Sequence, residues 1–197
     1  MKVPVLLCAA LVLCVPALAG DLQFTKERLG ESVYEAACVF DVNADGHPDI
    51  LTGEIWLPGP DFKTAHKFRE LLYTNEYYDD FGAYPVDVDG DGDLDILTAG
   101  WFGKSVRWCE NPGGAATGMW NVHLVEECGS VERPLYVDIG GDGTVEVAPN
   151  LPGGPLVVYQ LVRDAAGKGT GEFKRFDLYS EKQDHGLGFG DINGDGR

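Results

Sequence analysis

The sequence predicts an all-β chain, a partial β-propeller of about three four-stranded blades and the start of a fourth. Three observations predict it. An acidic loop recurs, and its first aspartates, Asp41, Asp87, Asp138 and Asp191, stand about fifty residues apart, a spacing that propeller blades share. Each loop lies between two short apolar runs. Gly and Pro clusters such as Pro58-Gly59-Pro60, Pro112-Gly113-Gly114 and Pro152-Gly153-Gly154 punctuate the rest, and no stretch repeats its apolar residues at helical spacing.

The second loop is the most complete. Asp87, Asp89, Asp91, Asp93 and Asp95 alternate with other residues, Gly92 holds the sixth position, and Ile96-Leu97-Thr98-Ala99-Gly100 follows. Two unit charges about 5 Å apart at an effective dielectric of about 20 repel by roughly 3 kcal/mol. A hard divalent cation removes that cost, and the glycine permits the bend that turns oxygens inward. The residues therefore predict structural calcium, with side-chain oxygens from Asp87, Asp89, Asp91 and Asp95 and the backbone carbonyl of Asp93. In the first loop the ligand positions are Asp41, Asn43, Asp45, His47 and Asp49. In the third they are Asp138, Asp142, Thr144 and Glu146, and in the fourth Asp191, Asn193 and Asp195. Gly140 removes the second ligand of the third loop and Glu146 replaces its last Asp, so that loop is expected to bind more weakly or not at all. An EF-hand does not fit, since its twelfth position would be Thr52, Thr98 or Pro149 and helices would flank it.

The strands follow in order. Those entering the loops are Ala36 to Phe40, Ala83 to Val86, Leu135 to Val137 and Leu187 to Phe189. Those leaving are Asp49 to Trp56 and Asp95 to Trp101. Third strands are expected at Ser105 to Glu110 and Pro155 to Val162, with the first unit's degraded between Leu57 and His66. Outer strands alternate apolar and polar residues at Phe68 to Tyr73, Val122 to Val125 and Phe173 to Leu178, and Gln23 to Leu29 reads as one more. The chain reaches Arg197 inside the fourth loop, so a piece of a longer propeller is expected.

Residues 1–19 read as a secretory signal peptide: Lys2, an apolar run from Val3 to Val15, and Ala17-Leu18-Ala19 before Gly20. A secreted, extracellular or periplasmic location follows. No later stretch is apolar for long enough to span a bilayer. The net charge of −17 argues against nucleic acid or an anionic membrane as partner. Beyond the signal remain Cys38, Cys109 and Cys128, an odd number. Cys109 and Cys128 flank one predicted hairpin and a bridge between them is open, although a simple register does not set them opposite. Cys38 reads as a small core hydrophobe.

These residues resemble a family, the FG-GAP or VCBS-type repeats of extracellular β-propellers, including integrin α subunits. The resemblance lies in Phe40-Asp41 to Gly53, Val86-Asp87 to Gly100, Val137-Asp138 to Val147, and Phe189-Gly190-Asp191 to Gly196. Trp108-Cys109-Glu110-Asn111-Pro112-Gly113-Gly114 also resembles the third-strand and turn signature of bacterial VCBS proteins. The resemblance implies that each loop joins the first two strands of a blade and holds calcium. It further implies a binding or adhesion module for an extracellular protein or polysaccharide. Trp56, Trp101, Trp108 and Tyr77-Tyr78 are candidate contacts or blade-to-blade packing.

Six residues before each first aspartate stand Glu35, Phe81, Glu132 and His185, with Asp79 and Asp80 nearby; these would face one mouth together, or be solvated turn residues. The run His185-Gly186-Leu187-Gly188 resembles the fungal aldos-2-ulose dehydratases, whose similar repeats raise an alternative, a carbohydrate-active lyase. No Ser-His-Asp set, His-rich metal motif or phosphate loop accompanies it, and no catalytic residue is assigned.

Overall fold

The computed structural model describes residues 23–195, so residues 1–19, expected to be a signal peptide, and the last two residues of the fourth loop lie outside the description. The described residues are all-β, with three four-stranded antiparallel meanders in chain order and one small hairpin. Sheet one contains β1 (Ala37–Phe40), β2 (Asp49–Thr52), β3 (Ile55–Leu57) and β4 (His66–Lys67). The hairpin is β5 (Tyr73–Thr74) with β6 (Tyr77–Tyr78). Sheet two contains β7 (Ala83–Val86), β8 (Asp95–Gly100), β9 (Ser105–Glu110) and β10 (Asn121–Glu127). Sheet three contains β11 (Arg133–Val137), β12 (Glu146–Asn150), β13 (Leu156–Arg163) and β14 (Gly169–Tyr179). Among the described residues no helix is long and apolar enough to cross a membrane.

The sheets stack face to face, which is why their strands read as apolar runs. Phe40, Val42, Leu51, Trp56 and Phe68 of the first unit pack with Ile96, Cys109, Ala116 and Trp120 of the second. Leu97, Ala99, Val106 and Trp108 of the second pack with Val147, Val157, Tyr159 and Leu161 of the third. Ile96 and Leu97 are adjacent in β8 and point to opposite faces, so this middle sheet buries both and every residue of β8 is buried. Each fully buried large side chain contributes roughly 1.5–3 kcal/mol. The indole N–H groups of Trp56 and Trp120 both donate to the Ala116 carbonyl, at 3.3 and 3.2 Å, tying sheet one to sheet two.

Five strand expectations are corrected. Asp49 to Trp56 is not one strand: Gly53, at φ 54°, turns the chain between β2 and β3, and β3 is the third strand sought further on. The outer strand expected at Phe68 to Tyr73 is only His66–Lys67, because Phe68 enters the core and Arg69 turns inward to donate to the Gly53 carbonyl at 2.7 Å and Asp80 at 2.6 Å. The 23–29 segment forms no strand and is exposed. Neither do Leu187 to Phe189, which lie beyond the last of the three sheets. Cys38, Cys109 and Cys128 are free thiols; Cys109 faces Val122 across the β9–β10 register, so no bridge to Cys128 forms. Burial pushes the Cys38 thiol up to about 12, in keeping with a packing role.

Candidate metal centre

Each of the first three acidic loops joins the first two strands of its sheet, and all three share one device. The ninth-position acid is buried and clasps the loop. Asp49 accepts from the backbone N–H of Val42 at 2.8 Å and of Gly59 at 2.7 Å. Asp95 accepts from the N–H of Val88 and of Asn111, both at 2.8 Å. Glu146 accepts from the N–H of Ile139 at 2.8 Å and from Gln160 Nε2 at 2.9 Å. This clasp was not foreseen from sequence. Its signal was the acid that opens β2, β8 and β12, at a position that a buried strand start would otherwise give to an apolar residue.

The loops differ in what their other carboxylates do. In loop two, Asp87, Asp89 and Asp95 each place a carboxylate oxygen within 4.8 Å of the other two. Oxygens that ligate one calcium at about 2.4 Å lie no more than about 4.8 Å apart, so the trio fits that ion. Asp87 Oδ1 accepts one loop bond, from Gly90 N–H at 2.7 Å. Asp89 accepts from Asp91 N–H at 3.1 Å, and Asp91 from Asp93 N–H at 2.9 Å, which curls the loop around its centre. Gly90 and Gly92 sit at φ 82° and 106°, the left-handed region that side chains resist. Burial pushes the Asp95 carboxyl up to about 7, and the charges of Asp89 and Asp91 add to this against the two N–H donors. Burial likewise raises Asp89. A bound divalent cation reverses that balance.

In loops one and three the first aspartate is satisfied by its own backbone. Asp41 accepts from Asp45 N–H at 3.1 Å and Gly46 N–H at 2.8 Å. Asp138 accepts from Asp142 N–H at 3.1 Å and Gly143 N–H at 2.8 Å. Asn43 donates to Asp45 at 3.0 Å, Asp45 accepts from His47 N–H, and Asp142 accepts from Thr144 N–H. The His47 ring is exposed and joins no carboxylate trio. In loop four Asp191 accepts from Gly194 N–H at 2.6 Å, and Asn193 donates to Asp195 at 2.9 Å. Among the described residues only loop two therefore gathers three acidic ligand atoms.

A second cluster lies at the start of sheet three. His185 Nδ1 and Glu132 Oε1 are 2.7 Å apart, and Glu132 raises the imidazole pKa. The His185 ring lies within 16° of parallel to Trp101, with centroids 6.4 Å apart. Glu132, Arg133, Asn150, Gly186 and Leu187 line an adjoining cleft of about 300 Å3, and Glu132 Oε2 is shut from solvent without a hydrogen-bond partner. Buried Asn150 orders this end: its Nδ2 donates to the Asp184 carbonyl and its Oδ1 accepts from Gly186 N–H, both at 3.0 Å. The other residues proposed for a shared mouth go elsewhere. Asp80 pairs with Arg69 in the interior, Asp79 accepts from the N–H groups of Phe102 and Gly103, Phe81 packs near Phe102, and Glu35 stays exposed.

Comparison with known families places residues 87–148, which run from loop two through loop three into β12, in the FG-GAP-like repeat family. No curated protein and no solved structure matches the chain.

Proposed function

Because residues 87–148 are an FG-GAP-like repeat, we propose that the chain is an exported, calcium-stabilised propeller-type module that binds an extracellular protein or polysaccharide. The observation that carries this reading is the division of labour between two ends of the sheets. Loop two gathers its carboxylates against backbone N–H groups and a neighbouring sheet, a setting for an ion that holds strands together. The Trp101, Glu132 and His185 group is instead open to ligand, with an aromatic ring beside a charged pair. The test is a glycan and protein array probed in calcium and again after chelation. Binding lost with EGTA, together with a lowered melting temperature, supports the reading; a melting curve indifferent to EGTA contradicts it.

A second reading rests on the 2.7 Å contact between Glu132 and His185. A carboxylate that holds an imidazole in place is a general acid-base pair, the equipment for eliminating water from a keto or anhydro sugar. Turnover of such a sugar, lost in His185→Ala, would place this reading first.

A further inference from the structure

We propose that the β13–β14 hairpin tip of sheet three is the second half of the loop-two centre, with Lys168 a positioning residue that strengthens metal binding from the neighbouring sheet. The proposal rests on the calcium reading of loop two given above. The tip is stiff by its own bonds. Asp164 Oδ1 accepts from Ala166 N–H at 2.8 Å and Lys168 N–H at 2.9 Å, while Asp164 N–H donates to the Lys168 carbonyl at 2.8 Å. These backbone donors hold the Asp164 carboxyl below its usual range.

This rigid tip presses on loop two at two carbonyls. Lys168 Nζ donates to the Gly90 carbonyl at 2.8 Å, and Gly171 N–H donates to the Val88 carbonyl at 2.8 Å. Residues 88 and 90 bracket Asp89, so fixing both carbonyls fixes the backbone on either side of one member of the carboxylate trio. The approach is close enough to require glycine: a Cβ at Gly169 would lie 2.3 Å from the Val88 carbonyl oxygen, and one at Gly90 would lie 2.6 Å from the Gly169 carbonyl oxygen. Loop one has half of this arrangement. Asn111 Nδ2 donates to the Val42 carbonyl at 2.9 Å, but Ala44, the counterpart of Gly90, is exposed.

Two effects of Lys168 oppose each other. Its ammonium repels an incoming cation, yet its side chain is exposed and the high dielectric of the surrounding water weakens that repulsion. The hydrogen bond it makes to the loop is local and is not weakened in this way. Positioning therefore wins, and by reciprocity calcium tightens the docking of the tip as much as the tip tightens calcium.

The experiment compares the full chain with Lys168→Met, Lys168→Arg and Gly169→Ala. Calcium affinity is read by calorimetry, melting temperature with and without calcium, and exchange of the Gly171 amide by NMR. Lys168→Met is expected to weaken calcium roughly five-fold, the loss of about 1 kcal/mol, with Lys168→Arg near wild type. The calcium-induced protection of the Gly171 amide is expected to shrink in Lys168→Met and vanish in Gly169→Ala. Equal or tighter calcium binding by Lys168→Met, with melting lowered equally in both conditions, overturns the proposal and leaves the calcium reading standing. A wild-type chain that binds no calcium overturns both.

Discussion

Loops two and three occupy the same place in consecutive sheets and make the same ninth-position clasp, yet only loop two gathers three carboxylates. Two differences separate them. The first is cover: Val88 of loop two is wholly buried beneath the hairpin of sheet three, whereas its counterpart Ile139 is 38% exposed. The second is the third position, Asp89 in one and Gly140 in the other. Loop one shows that cover alone is insufficient. Val42 is 2% exposed, but Asn43 stands where Asp89 would, and Asp41 is bonded twice to its own backbone. Convergence thus goes with a carboxylate at the third position, and in loop two a neighbouring sheet also holds the loop in place. The same cover desolvates the acids, which raises their energy without metal and so makes a cation more valuable.

The sharpest way to break this comparison is to remove one acid from each loop. Asp95→Ala leaves two buried backbone N–H groups unsatisfied, each costing about 1–3 kcal/mol, and also removes one of the three proposed metal ligands. A loss of roughly 3–5 kcal/mol in calcium is expected by urea unfolding. Asp142→Ala removes an exposed side chain whose carboxylate accepts from Thr144 N–H and should cost under about 1 kcal/mol. Equal losses would mean that the loops are alike in solution.

A smaller effect, but a more constructive one, is expected from Gly140→Asp. Gly140 does not have a left-handed φ, and the nearest atom to an added Cβ is 3.8 Å away, on Asp142. The substitution supplies the missing carboxylate without strain. With the cover still absent, a new calcium site should bind roughly ten-fold or more weakly than loop two, since calcium affinity follows ligand charge and site rigidity. Calorimetry resolving a second, weaker site would sharpen the comparison, whereas a second site as tight as the first would show that cover does not matter.

Much of this was legible because each loop carries its own punctuation. The steps between Asp41, Asp87 and Asp138 and the apolar runs around them point to three sheets, and the strands β7 and β9 lie where the sequence predicts them. What escaped was information held between units. Gly53 reads as the end of a strand only when its turn is seen, and Arg69 reads as the exposed member of an alternating pair although it is 2% exposed. Its direction is set by Asp80 and the Gly53 carbonyl, both remote in the pattern. The carboxylate trio was also only half legible. Alternation nominated four aspartates of loop two through their side chains and Asp93 through its carbonyl, but Asp91 and Asp93 are drawn into the curl of the loop, and only the fold distinguishes Asp95 by burying it. Lys168 lies 78 residues from Gly90 and carries no local signal at all.

The last test of the comparison uses pH. Burial holds the Asp95 carboxyl up to about 7 in the folded, metal-free chain, against an ordinary aspartate value near 3.9 when unfolded. Between these values the folded state binds more protons than the unfolded state, so stability falls as pH rises from about 4 to 7 and then levels off. The slope contributed by this one group approaches about 1.4 kcal/mol per pH unit in mid-window, and the upward shift of Asp89 adds to it in the same sense. Calcium requires the deprotonated carboxylate, so its affinity should climb across the same interval and each ion bound near pH 6 should release protons. Urea midpoints measured in EGTA should therefore decline toward neutral pH, and those measured in calcium should decline less or rise. Asp95→Asn removes the titrating group and should flatten its share of the EGTA slope. A slope unchanged by Asp95→Asn would place the titration elsewhere and remove the electrostatic half of the difference between the two loops.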